Sequence, residues 1–474
     1  MTNFRDPSNF AVEYRGRWYR VADKVSSESL RRLRESSLYE ELIADRKILK
    51  FREVSAIEAE ALFLPLMSKI NNKNGILMTR AEYSIFITET APLIIYPNEW
   101  TNLMLSKAAK LVLELKMKLN EVGLDIKDPN ATNIQFFGSE PYLIDLGTVT
   151  RFRLQPSWVG SRLFMEQFLN PLLVSWATGV EATQFRGANF GLQSKNCMKI
   201  LGVKSKLRPS IFVLLKMTIP SGHPIKQKIV ENEADKDLIL KAHLRLIKRF
   251  SKLVRLYSSQ NLNTTWADYS PRNHYSSQEI KRKRDFTEQF MASCEGLSMT
   301  LVDLGGNDGI FSQITKERKI SKIVVIDPDE GVLDLTSSSR ESMLDSDTTY
   351  FVKSELMLAS NGDGKLRSEL IPLTSRVGKC IVLCFAVLHH AVITQGNPLL
   401  QAVEALSKFD GDLLIEFVDE KDEKVLQLIS DVVDWKGQYS LSSLIEILSS
   451  FYQEVSKIGV TSEHRHMVSC RNKI

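Results

Sequence analysis

The chain has 474 residues, 43% of them hydrophobic and 25% charged, a composition of folded globular proteins and not of disordered or fibrous ones. At roughly 100–200 residues per domain, this length allows two to four domains. Its longest uninterrupted apolar run, Cys380–Leu388, is too short for a membrane-spanning helix, and the opening MTNFRDPSNF lacks the apolar core of a secretory signal. The net charge of +5 conceals an asymmetry: residues 195–255 carry 15 Lys and Arg against 4 Asp and Glu, whereas residues 300–474 carry 18 against 26. A basic segment of this kind suits an anionic partner or a solvated helical surface. The five cysteines, Cys197, Cys294, Cys380, Cys384 and Cys470, form no CxxC pair and read as core thiols of a protein of the cell interior, expected in the cytoplasm.

In chain order, the aromatic and aliphatic residues around Gly16 predict a β-hairpin. Residues 27–50 read as charged helix. Apolar residues Met104, Ala108, Leu111, Leu115, Leu119 and Val122, three or four apart, predict a helix from Thr101 to Val122 that Gly123 ends. Two short strands are expected at Ile134–Phe137 and Tyr142–Ile144, with a turn at Gly138–Pro141. Residues 158–255 read as mostly helical. Within them Asp237–Leu256 is a basic helix whose apolar face is expected to be Leu238, Ile239, Ala242, Leu246, Phe250, Leu253 and Leu256. The polar stretch Ser258–Arg284 reads as a linker or long surface loop.

From about Phe286 short apolar strands (Met299–Leu304, Ile323–Ile326, Cys380–Phe385, Leu413–Phe417) alternate with helical stretches (Gly309–Lys319, Pro398–Lys408, Glu423–Val433). That alternation predicts an α/β domain with a mainly parallel sheet covered on both faces. The expected division is an α+β region over 1–185, a helical basic segment over 186–285 and a Rossmann-like domain over 286–474.

The strand at Met299 runs into Asp303-Leu-Gly305-Gly306-Asn307-Asp308-Gly309. This is not the dinucleotide G-x-G-x-x-G pattern, because Asn307 and Ile310 stand where the second and third glycines would. Glycines here let the backbone approach a ligand closely, and Asn tolerates the same left-handed geometry. Asp327 ends the next strand, 22 residues after Gly305, where a carboxylate can accept hydrogen bonds from ribose hydroxyls or cap the following helix. A fourth strand runs directly into His389 and His390, at the end of an open sheet where ligands gather.

These segments resemble class I S-adenosylmethionine-dependent methyltransferases. The resemblance implies S-adenosylmethionine as cofactor. It implies contacts from Asp303, Gly305, Gly306, Asn307, Gly309 and Asp327, and a catalytic role for His390 or His389, with O-methyl transfer expected. The segment Tyr350–Glu355 lies where the family reads adenine, with Ser354 or Glu355 in place of the customary Asp. Phe4–Ser8, Tyr96–Trp100, Asn133–Phe136, Leu388–Ala391, Ile415–Val418 and Asp422 together resemble the nodulation-protein-related methyltransferases of bacteria over nearly the full length. The resemblance leaves the acceptor open among saccharide, small molecule, protein and RNA. No RNA-binding module is evident, and no metal site is expected.

Asp128-Pro-Asn-Ala-Thr-Asn133, followed by Asp145-Leu-Gly147, is similar to the catalytic loop and metal-binding D-x-G of kinase-like phosphotransferases. Ile126-Lys127 stands where that family has His-Arg, and no Gly-rich phosphate loop precedes it. A degenerate kinase-like lobe, with Asp128 and Asn133 serving loop structure, and a phosphotransferase or nucleotide-binding scaffold are the two readings of this region.

Overall fold

The computed structural model describes residues 9–74, 83–153, 157–187, 191–202, 215–216, 233–258, 276–294, 299–317, 320–338, 348–361, 370–430 and 439–474. Phe4–Ser8 and most of the linker expected at 258–284 lie outside them. The chain divides into two compact units, Met1–Pro97 with Asn102–Gln260, and Asn98–Thr101 with Asn261–Ile474.

The first unit is α+β. Strands β1 (Asn9–Tyr14) and β2 (Arg17–Asp23) form the expected hairpin, in register from Asn9↔Ala22 to Tyr14↔Arg17. Its two-residue turn puts both Arg15 and Gly16 at positive φ, which matches the right-handed twist of the strands. With β3 (Phe51–Glu53) and β4 (Tyr83–Thr88) they make an antiparallel sheet ordered β1-β2-β4-β3. Alternate residues Phe10, Val12, Tyr19 and Val21 pack against Phe63, Leu66, Met67 and Ile70 of the helix Ala56–Asn74. The helix foreseen at 101–122 is Asn102–Glu121, and Gly123, at φ +72°, turns the chain out of it. Two small ladders follow: β5 (Leu124–Ile126) with β8 (Val149–Arg151), and β6 (Ile134–Phe137) with β7 (Glu140–Leu143).

The basic helix is Glu233–Tyr257. Its buried stripe is His243, Ile247, Phe250, Val254 and Tyr257, spaced four, three, four and three. The face expected from sequence is therefore wrong in phase. Leu238 and Leu256 are exposed, and only Phe250 belongs to both sets.

The second unit is α/β. Its seven-stranded sheet runs β11-β10-β9-β12-β13-β15-β14. The strands are β9 (Met299–Leu304), β10 (Ile320–Asp327), β11 (Thr349–Lys353), β12 (Lys379–Phe385), β13 (Asp410–Val418), β14 (Tyr452–Ser462) and β15 (Arg465–Lys473). The first five are parallel and β14–β15 are antiparallel, so the sheet is mainly parallel as expected. β14 and β15 have no counterpart in the sequence reading. All five cysteines are buried free thiols.

Two expectations need correcting. Gly309–Lys319 is not an α-helix: after Gly309, at φ +68°, the described chain makes a 3-10 helix only over Ser312–Glu317. The Ser312 hydroxyl donates to Asp303 and ties this short turn to the end of β9. The end of the expected linker is an α-helix, Ser277–Ser293, started by a capping box between Ser276 and Glu279. Thr287, Phe290 and Met291 turn inward from it, as does Lys283.

Candidate cofactor site at the strand ends

In the second unit the strand order reverses between β9 and β12, where an open α/β sheet leaves a crevice beyond its carboxyl ends. The predicted cofactor residues and both histidines lie at the carboxyl ends of β9 and β10, as Asp303 and Asp327 do, or on the segments that leave β9 and β12. The turn after β9 holds Gly305 at φ +68°, Asn307 at +45° and Gly309 at +68°. Asn307 thus adopts the left-handed conformation in which Asn is tolerated. Amides of Gly305 and Gly306 donate to the Ile326 carbonyl at 2.8 and 3.3 Å, which fastens the turn to β10.

Neither of these glycines has room for a side chain. A Cβ on Gly305 would stand 2.3 Å from Val387 Cγ2, and one on Gly306 would stand 2.8 Å from Val325 Cγ1. The Val387 contact also shows that the turn after β9 and the segment after β12 touch.

Asp303 and Asp327 are buried carboxylates that meet no Lys or Arg among the described residues. Burial pushes each up to about 6, against hydrogen bonds that favour the charged form. Asp327 accepts the Asn307 amide at 3.2 Å and the Asp329 amide at 2.9 Å. The helix Glu330–Ser338 is capped by Asp329, which accepts from Gly331 and Val332 at 2.8 and 3.2 Å. Asp327 is therefore not needed as that cap. Ser354 follows β11 with its amide on the Asp327 carbonyl, and Glu355 accepts from Gln395 Nε2 at 2.6 Å.

After β12 the chain turns at Ala386, a non-glycine residue at φ +54°. A left-handed L-residue costs roughly 1–2 kcal/mol, and glycine returns part of that as extra freedom in the unfolded chain. Ala386→Gly is accordingly expected to stabilise the second unit by about 0.5–1 kcal/mol. Denaturant midpoints of the two proteins measure this, and a loss of stability would mean that the turn carries no such strain.

His389 is 5% exposed, and its Nδ1 is buried with no hydrogen-bond partner among the described residues. Its ring centroid lies 4.2 Å from that of His390, which opens a π-helical turn over His390–Thr394. Irregular turns of this kind recur at functional sites. Burial, helped by His390, Arg465 and Lys283, holds His389 well below the ordinary histidine range. Burial alone also lowers the more open His390. Both rings are therefore neutral near pH 7.

The sequence reading missed Lys283 and assigned no role to Glu416. They are 1% and 0% exposed, with Nζ 2.8 Å from Oε2. The Thr461 hydroxyl donates to the other carboxylate oxygen at 2.7 Å. Lys283 Nζ also lies 5.6 and 5.9 Å from the ring centroids of Phe311 and Phe385, the first just past the glycine turn and the second ending β12. The helical spacing of Lys283, Thr287, Phe290 and Cys294 is the signal that would have placed this lysine on the inner face.

In the first unit Asp128, Asn133 and Asp145 do come together. Asn133 Nδ2 donates to the Asp128 carbonyl at 2.9 Å, and the Asp145 amide meets the Asn133 carbonyl at 3.4 Å. The Asp145 carboxylate, however, is taken by the Arg20 guanidinium at 2.7 Å, and Arg20 also donates to Asn9. No group of three or more His, Cys, Asp or Glu suited to a metal ion occurs among the described residues.

No family model matches the chain. Among solved structures, it is similar to the magnesium protoporphyrin IX methyltransferase ChlM of Synechocystis PCC 6803 with bound SAH (17% identity, 41% of this chain and 84% of that one, TM-score 0.29). It is also similar to the SAH-bound amino-terminal domain of EvdMO1 (14%, 42% and 83%, TM-score 0.29) and to the methyltransferase domain of bacterial CtHen1 (12%, 41% and 100%, TM-score 0.30). Scores this low do not establish a shared fold. Among curated proteins, the nodulation protein NoeA of Rhizobium meliloti (strain 1021) is 26% identical over 369 residues, 77% of each chain. Over most of its length, then, the chain is similar to a nodulation protein, the likeness its short motifs already carried.

Proposed function

We propose that the second unit binds S-adenosylmethionine and transfers its methyl group to an acceptor oxygen. One observation carries this reading. A turn with Gly305, Asn307 and Gly309 all left-handed sits where the strand order reverses, stitched to the strand that ends in the buried carboxylate of Asp327. The same segments offer the features such a cofactor requires. The backbone at Gly305 and Gly306 excludes side chains. Among the described residues, Asp303 and Asp327 have no basic partner and the buried Nδ1 of His389 has no hydrogen-bond partner.

When bound, S-adenosylmethionine supplies an electrophilic methyl group on a sulfonium and departs as the thioether. The residues of this chain then have five tasks. Gly305, Gly306, Asn307 and Gly309 bring the backbone close, and Asp303 orients the amino-acid end through its charge. Asp327 accepts from the ribose hydroxyls. His390, neutral at pH 7 and more open than His389, takes the proton of the acceptor hydroxyl as the new carbon–oxygen bond forms. His389 packs against the His390 ring and holds it in place. Alignment of donor and acceptor supplies much of the rate for such a reactive donor.

Calorimetric titration of the full chain with S-adenosylmethionine tests the reading. Asp327→Ala is expected to weaken binding about tenfold or more, because charge-assisted hydrogen bonds to the ribose are worth ~1.5–3 kcal/mol. Tight binding that survives the substitution unchanged would remove Asp327 from the site. The kinase-like reading of residues 1–185 has less support, because the Arg20 guanidinium holds the carboxylate that would have to meet a metal ion.

A further inference from the structure

The helix Glu233–Tyr257 buries one stripe and turns a chemically distinct one outward. Lys241, Arg245, Lys248, Lys252 and Arg255 follow one another at intervals of four, three, four and three, so they line a single face. At 1.5 Å per residue this ridge is about 21 Å long. All five are exposed. The acidic residues of the helix, Glu233, Asp235 and Asp237, all fall in its first five positions, and none follows from Leu238 onward. Lys241 is paired with Asp237 at 2.6 Å. Arg245, Lys248, Lys252 and Arg255 form no ion pair with any described residue.

Leucines flank the ridge on both sides. Leu238 and Leu256 are 62% and 42% exposed on one side, and Leu244 is 44% exposed on the other. Exposed leucines on both sides of a row of cations are the pattern of a helix that lies in a membrane interface. A nucleic-acid surface would offer amide or aromatic side chains to read or stack on bases. The outward face from Leu238 to Leu256 has neither, because its one aromatic side chain, Phe250, and its one imidazole, His243, point into the core.

From this arrangement we infer that the outward face of the Glu233–Tyr257 helix binds the surface of an anionic phospholipid bilayer. The cations meet the headgroups, and Leu238, Leu244 and Leu256 enter the boundary between headgroups and acyl chains. This is how interfacial helices bind, except that here the third stripe is committed to the protein core. The helix lies along the surface and does not cross it: no helix among the described residues is long and apolar enough to span a bilayer.

Co-sedimentation of the full chain with phosphatidylcholine vesicles, with or without phosphatidylglycerol, tests the inference. Binding is expected only with phosphatidylglycerol present. It should fall as salt rises, since the screening length shrinks from about 30 Å at 0.01 M to about 8 Å at 0.15 M. Each cation near an anionic surface strengthens binding roughly fivefold, so Arg245→Gln, Lys248→Gln and Lys252→Gln together are expected to weaken it about a hundredfold. These positions are exposed, and an unchanged circular dichroism spectrum would show that the fold is retained. Leu238→Ser with Leu256→Ser is expected to weaken vesicle binding several-fold while leaving retention on a short RNA unaffected. Failure to bind phosphatidylglycerol vesicles at low salt would overturn the inference. So would equal binding of RNA and vesicles with no effect of the leucine changes. Neither outcome bears on S-adenosylmethionine binding by the second unit, which is read by titration.

Discussion

Lys283→Met is expected to destabilise the second unit by about 3–5 kcal/mol, the cost of leaving one partner of a buried ion pair uncompensated. Lys283 and Glu416 are both essentially inaccessible, and among the described residues the only other group bonded to the Glu416 carboxylate is the Thr461 hydroxyl. Removing the ammonium leaves a buried carboxylate with no second cation beside it among the described residues. The pair itself is not a large source of stability, since bringing both charges out of water costs about as much as their attraction returns. Lys283→Met combined with Glu416→Leu is therefore expected to recover most of the loss, and the two substitutions should be strongly non-additive. Denaturant titrations of the two single variants and the double variant read this directly. A single-variant loss below about 1 kcal/mol would mean that water reaches the pair. Lys283 also lies over Phe311 and Phe385 at the strand ends. A double variant that regains stability but still binds S-adenosylmethionine weakly would assign the pair to shaping the crevice as well as to folding.

What the sequence revealed and what it hid divide along a physical line. The turn after β9 was legible because its chemistry is local: Gly305, Asn307 and Gly309 are the residue types that tolerate left-handed backbone, and all three use it. Strands β9, β12 and β13 were legible as short apolar runs because a parallel sheet buries both faces. β14 was hidden because it is the edge of the sheet. Only Tyr452 and Thr461 of its residues are buried, so no apolar run or clean alternation marks it. Lys283 was hidden by its neighbours, since Lys281-Arg282-Lys283-Arg284 reads as a solvated run unless the helix face is known. The Glu233–Tyr257 helix was found, but its inner face was not. Adjacent apolar residues such as Val254 beside Leu253, and Tyr257 beside Leu256, fit two stripes equally well, and only packing chooses between them. In the first unit the motif placed Asp128, Asn133 and Asp145 together. The partner that decides their chemistry, Arg20, comes from a strand more than a hundred residues earlier.

S-adenosylmethionine is expected to bind more tightly as the pH rises from about 5 to about 7, by up to tenfold for each carboxylate that must release a proton. Asp303 and Asp327 are pushed up to about 6 by burial, with further help from Asp308 and Asp327 acting on the first and Asp329 on the second. Near pH 5 both are mostly protonated, and near pH 7 mostly ionised. A ligand carrying a sulfonium and an ammonium favours the ionised forms, so binding expels protons below pH 6 and none well above it. The same shifts set the sign for stability. The folded protein holds these protons to a higher pH than the unfolded chain, whose aspartates titrate near 3.9. Their contribution is therefore greatest at low pH and is lost as the pH rises through 6. The ligand offsets that loss, so its stabilising effect in thermal melts is expected to be larger near pH 7.5 than near pH 5. Asp327→Asn cannot titrate, and it is expected to bind more weakly at neutral pH and to show about half the pH dependence. Titrations of both proteins across this range, at constant ionic strength, measure the slope. An affinity for S-adenosylmethionine that does not change between pH 5 and 7 would mean that neither carboxylate meets the cationic ligand, and would move the cofactor away from the ends of β9 and β10.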